Sequence, residues 1–118
     1  MADFTAAADA SYVYTTTKSK SEPRVVSQVT VAVSAVEAVR TVFAAAKAMV
    51  SGVELAKEWA NRPGNFATPV HLADAAKALA KKNRISTEVL GPKEVAKLGM
   101  GSFMAVAKGS AEPLRFIV

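Results

Sequence analysis

From Val36 onward the apolar residues Val39, Phe43, Ala46, Val50 and Val53 recur at alternating steps of three and four. That rhythm sets them along one stripe of an α-helix, with Lys47, Glu54, Lys57 and Glu58 largely off it. Ser34 and Glu37, three residues apart ahead of the stripe, have the spacing of a capping box, which predicts a helix start at Ser34. Pro63 lacks an amide donor and disfavours helical backbone at Arg62, so the helix is predicted to stop near Asn61. With its rise of 1.5 Å per residue such a helix measures about 40 Å, longer than a small domain is wide. It therefore reads as a connector between two units.

Ahead of the connector, residues 2–10 are rich in alanine and read as the last turns of a helix. SYVYTTT, residues 11–17, is aromatic and β-branched and is predicted to be a strand. KSKSEP follows as a polar turn. Val29, Val31 and Val33 then alternate with Gln28, Thr30 and Ala32, the period of a second strand with one buried face. The two strands are expected to pair as a hairpin.

Beyond the connector, Gly64 and Asn65 in NRPGNFATP tolerate positive φ, and Thr68 with Pro69 supply an N-cap and a first helical residue. The next helix has an apolar face of Leu72, Ala75, Ala76, Leu79 and Ala80. Lys77, Lys81 and Lys82 stand elsewhere and enrich its last turns in positive charge, which complements the helix dipole. ISTEVL reads as a strand. Gly91 and Pro92 open a short helix through Val95 and Leu98, stopped by Gly99. MGSFMAVAKGS reads as a buried apolar segment and LRFIV as a closing strand. This order of helix, strand, short helix and strand predicts an α/β fold class with parallel pairing.

Two stretches carry a resemblance. LAKEWANRPGNFATPVHLADAAKALA is similar to the entry into the catalytic domain of the leucyl aminopeptidase family, the cytosol aminopeptidases, and LGMGSFMAVAKGSAEPLRFIV resembles the segment that follows there. Their order and spacing agree with that family. The resemblance implies a chain several times longer, with a smaller N-terminal α/β domain, a connecting helix and a C-terminal catalytic domain. On that reading residues 1–33 close the N-terminal domain, residues 34–61 form the connecting helix and residues 62–118 begin the catalytic domain. It also implies release of N-terminal amino acids from peptides by two divalent metal ions, zinc or manganese, usually in a hexamer. The lysines, aspartates, glutamate and arginine that do this work in the family lie beyond Val118. No catalytic, cofactor-binding or metal-binding residue is therefore assigned here, no bound metal is expected, and the fragment is expected to be inactive by itself.

Composition narrows the alternatives. A chain of 118 residues with 51% hydrophobic content and a mean hydropathy of +0.20 suits a packed core rather than intrinsic disorder. Nowhere does an apolar run reach the roughly eighteen residues that a membrane span needs, so no membrane association is expected. Cysteine is absent, which excludes disulfides and thiol chemistry. The acidic opening MADFTAAADA does not resemble a secretory signal, and the expected location is the cytoplasm. A net charge of +5 raises the alternative of a DNA-binding or assembly module without catalysis. Lys18 with Lys20, and Lys77 with Lys81, Lys82 and Arg84, form only short clusters of the kind found on solvated faces. A truncation without an independent role is a third reading, and an exposed LRFIV edge predicts a homo-oligomer.

Little else in the chain suggests chemistry. Asp3, Asp9 and Asp74 and the seven glutamates are dispersed, many beside lysines, and no pair has ligand spacing. His71 is the single histidine, which argues against a multi-histidine metal site and a histidine-based triad, and its place in a first helical turn suits capping. Trp59 reads as a packing anchor. LGMGS lacks the third glycine of a dinucleotide loop, and AKGS has its lysine before the glycine, unlike a phosphate loop. Met100, Phe103 and Met104 are expected to fill core space.

Overall fold

The computed structural model describes residues 2–118 and divides into two compact units, Met1–Arg62 and Pro63–Val118. Helices dominate both, and the only sheet among the described residues is a two-stranded one in the second unit.

The first unit contains α1 (Ala2–Ala10) and α2 (Val36–Ala60). The 25 residues of α2 give it a length of about 37 Å. Its stripe is buried at Ala46, half-buried at Val39, Phe43 and Val50, and left to solvent at Val36 and Val53. Phe4 of α1 packs on Phe43 with ring centroids 5.0 Å apart, and Ala8 is buried beside this contact's helix pair. The start of α2 differs from the capping-box expectation. Ala35, whose methyl side chain has no acceptor, is the N-cap, and Glu37 pairs with Arg40. The end is as the proline predicts: the Asn61 amide donates to the Lys57 carbonyl at 3.0 Å, and its side-chain nitrogen donates to the same oxygen at 2.8 Å.

Neither predicted strand of this unit forms, and so no hairpin does. Residues 12–35 are irregular. Their β-propensity is genuine, but a strand exists only against a partner, and one alternating face packed on a helix satisfies the pattern without any ladder. Val31 and Val33 take that course, bordering a groove with Val36, Val39 and Phe43 of α2.

The second unit runs α3 (Pro69–Asn83), β1 (Val89–Leu90), α4 (Pro92–Lys97), α5 (Gly101–Ala107) and β2 (Phe116–Ile117). Thr68 caps α3 as expected, its buried hydroxyl accepting from the His71 amide, with Pro69 in the first turn. The helix buries Ala73 and Ala80, while Leu72 and Leu79 of the predicted face remain 40% and 43% exposed. It ends on Arg84 at φ 55, a left-handed conformation that a side chain with a Cβ resists. The Arg84→Gly variant should therefore gain about 0.5–1 kcal/mol in urea unfolding, and an unchanged or lowered midpoint would contradict this.

α4 ends in a Schellman motif: Gly99 at φ 70 donates to the Ala96 carbonyl at 3.0 Å, and Met100 donates to the Val95 carbonyl at 3.3 Å. The apolar segment after Gly99 is a helix, α5, and none of its residues is buried. β1 and β2 pair antiparallel, Val89 with Ile117 and Leu90 with Phe116, which corrects the expected parallel pairing. Glu88 and Val118 extend the ladder with reciprocal bonds of 2.9 Å. Two helices rather than one separate the strands, so the right-handed single-helix crossover behind the parallel expectation does not apply. Val95 is fully buried, with Leu114, Ala73 and Ala80 completing this unit's buried apolar set. Phe103 and Phe116 meet edge-on at 5.6 Å, while Met100 and Met104 are half-buried.

Candidate functional site

A polar cluster surrounds Glu58 near the end of α2. Steps of four residues carry Glu54, Glu58 and Arg62 along one side of the helix end, where the irregular chain after α1 crosses them. Glu58 Oε2 accepts from the Tyr12 hydroxyl at 3.1 Å, Oε1 accepts from Thr16, and Arg62 Nη2 lies 3.6 Å from Oε1. The Arg62 guanidinium stacks over the Trp59 ring, 4.0 Å from its centroid. This bears out Trp59 as a packing residue whose face is occupied by a cation. Partial desolvation pushes the Tyr12 phenol above its ordinary value; a bond from Asn61 opposes the shift and Glu58 reinforces it.

Neighbouring pairs tie the same surfaces. Arg24 Nη1 meets Glu54 at 3.0 Å, and its Nη2 donates to Ser11 Oγ at 2.8 Å. Lys57 pairs with Asp9 and lies 5.3 Å from the centre of the Tyr12 ring. These interactions clamp α1 and the irregular segment to α2, a structural task. Asp9 and Glu54 both border one open cavity, and each is paired with a cation, Lys57 and Arg24 respectively.

The remaining candidates behave similarly. His71 Nδ1 lies 2.9 Å from Thr68 Oγ1, so the ring reinforces the cap, and the residue is exposed. Asp74 is 3.9 Å from Lys77 on α3. Glu94 accepts from the Gly91 amide at 3.0 Å; its own amide and that of Gly91 hold its carboxyl below the usual range, with Lys97 and Lys93 adding to the effect. Gly99 and Gly101 of LGMGS serve a helix stop and a helix start rather than a phosphate cradle. Lys81 and Lys82 lie in the exposed last turn of α3. Lys18 and Lys20 lie in the exposed irregular segment.

Among the described residues no three His, Asp or Glu side chains come together in a group able to hold a metal ion, so no metal-dependent step is derived from these residues. Nor is any helix among them long and apolar enough to cross a membrane. The Glu58 hub itself was not singled out by sequence patterning. Its local part, Glu58 with Arg62 four residues on and just past the helix end, is close in sequence; Tyr12 and Thr16 arrive from far along the chain.

Comparison with known proteins fixes the affiliation of this scaffold. The family model described as the cytosol aminopeptidase family, catalytic domain, matches residues 54–118. A probable cytosol aminopeptidase of Albidiferax ferrireducens is 65% identical over 114 residues, covering 97% of this chain and 24% of that protein. One from Variovorax paradoxus is 63% identical over 112 residues, covering 92% of this chain and 22% of the relative. A more distant one from Methylibium petroleiphilum is 48% identical over 110 residues, covering 91% and 23%. The chain thus spans about a quarter of the length of these curated relatives. No solved structure matches it.

Proposed function

Because this chain belongs to the cytosol aminopeptidase family, we propose that it is part of a metallo-aminopeptidase of the leucine type, releasing N-terminal amino acids from peptides. The observation that carries this is the catalytic-domain match from Glu54 to Val118, which ends at the two-stranded sheet of the second unit. Residues 1–33 close an N-terminal α/β domain in this reading, residues 34–61 form the connecting helix, and residues 62–118 open an α/β catalytic domain. Two divalent ions, zinc or manganese, and the side chains that hold them belong to the three quarters of the relatives' length that this chain does not cover. The whole enzyme is cytoplasmic and a homo-oligomer. What the present residues supply is packing: caps, turns and apolar faces on which a catalytic domain is built.

Two measurements test the proposal. The purified 118-residue chain, given leucine p-nitroanilide with manganese or zinc, should release no nitroaniline above the blank; clear turnover would overturn the assignment of the chemistry to other residues. Substituted for the matched segment of the Albidiferax ferrireducens relative, the chain should support metal-dependent hydrolysis by the chimera. A soluble, folded chimera without activity would count against membership in a working aminopeptidase.

A further inference from the structure

α3 begins on a side-chain pair in which one hydroxyl serves two partners. Thr68, the N-cap, is 7% exposed. Its Oγ1 accepts from the His71 amide at 3.4 Å and lies 2.9 Å from His71 Nδ1. Having accepted from the amide, the hydroxyl still has its own hydrogen to place. Among the described residues Nδ1 is the one acceptor within its reach. Thr68 therefore donates to a bare Nδ1, and the neutral ring carries its proton on Nε2. His71 occupies the third helical position, where a capping box has glutamate or glutamine; here the side chain answers the cap's hydroxyl instead of its backbone amide.

We propose that Thr68 and His71 form a proton-sensitive cap on α3, closed while the imidazole is neutral and opened when the ring takes a second proton at Nδ1. An imidazolium has no acceptor, so Oγ1 would receive both the amide and Nδ1–H while its own hydrogen is stranded in a buried place. The added charge also stands in the first turn of the helix, whose free amides already make that end positive. Both effects act in the same direction. On α3 the charges near the ring are Asp74, which would attract an imidazolium, and Lys77, which lies 3.9 Å from Asp74 and offsets it. β2, packed against α3, is uncharged at Phe116 and Ile117, and the turn 63–67 carries no charge. An uncapped α3 takes up the proton more readily than a capped one, so acid favours the uncapped state. Ahead of the cap the Phe66 and Ala67 amides both donate to the Pro63 carbonyl, at 2.8 and 3.0 Å, and the Leu72 amide makes the first helical bond to Thr68 at 3.0 Å. Opening the cap thus frays the start of α3 at the point where this closed turn enters it. The proposal rests on the second unit alone and is independent of the aminopeptidase reading.

His71 is the single histidine, so the nitrogen signals of its ring are read by NMR without ambiguity. At about pH 8 they should show the Nε2–H tautomer in excess. Between about pH 8 and pH 5, the range in which imidazoles titrate, protection of the His71 and Leu72 amides should fall about three- to tenfold once the intrinsic effect of pH on exchange is removed. His71→Gln replaces an exposed side chain with one that accepts at the same helical position and does not titrate. Its protection should stay level across the same range. An Nδ1–H tautomer in excess at pH 8, level protection in the unsubstituted chain, or an equal fall in His71→Gln would each overturn the proposal.

Discussion

The Val95→Asp variant is expected to lose the cooperative unfolding of the second unit altogether. Val95 on α4 is 0% exposed, the largest fully buried side chain among the described residues. The other buried apolar residues of this unit are Leu114, Ala73 and Ala80, none of which carries a polar group to meet a carboxylate. Burying a carboxyl there costs at least about 4 kcal/mol, either as an unpaired charge or as a protonated acid without a bond. A unit of this size holds roughly 3–8 kcal/mol. The penalty is therefore comparable with everything the unit has. Val95→Ala, which removes two methyl groups and leaves a small cavity, should cost about 1–2 kcal/mol and retain a shifted but cooperative transition. Urea titration followed by circular dichroism separates the two outcomes, and a Val95→Asp protein unfolding as cooperatively as the parent would refute the role given to this side chain.

Phe43→Ala should produce the largest loss in the first unit, about 2–3 kcal/mol. Among the described residues only Ala8 and Ala46 are buried apolar residues there, and alanine offers little area. The Phe4–Phe43 contact at 5.0 Å is the aromatic junction between α1 and α2. Without it α1 is held by the Lys57–Asp9 pair and by Arg24 bound to Glu54 and Ser11. Such partly exposed pairs contribute about 0.2–1 kcal/mol each. A helix of nine residues has little stability in isolation. The expected observation is rapid amide exchange throughout α1 with α2 still protected. Unchanged protection in α1 would show that the ion pairs carry the docking.

Helices and their ends were the legible part of this chain. A proline fixes its own φ and denies an amide wherever it stands, so Pro63 and Pro69 reported a helix end and a helix start without help from tertiary contacts. Thr68 and Gly99 acted through their nearest neighbours and were equally readable. The strands were a different matter. Alternation at Val29, Val31 and Val33 reported that one face would be covered, but not whether a strand or a helix would lie beside it. The direction of β1 against β2 depended on the number of helices between them, and α5 was concealed because a seven-residue helix with glycine at its head reads much like an apolar loop. As for chemistry, the hub on Glu58 required Tyr12 to come back across 46 positions, which local spacing does not report.

The mismatch between the family's catalytic-domain boundary and the helix that contains it has a practical side. Glu54 lies inside α2, six residues before the final helical residue Ala60. A gene trimmed to begin at Glu54 would translate a helical stub of two turns, with fresh unsatisfied amides at its head and without Asp9, Tyr12, Thr16 and Arg24 to dress its flank. Trimming at Pro63 would shed the stub cleanly, and starting at Ser34 would keep the rod whole at the expense of the segment that lies on it.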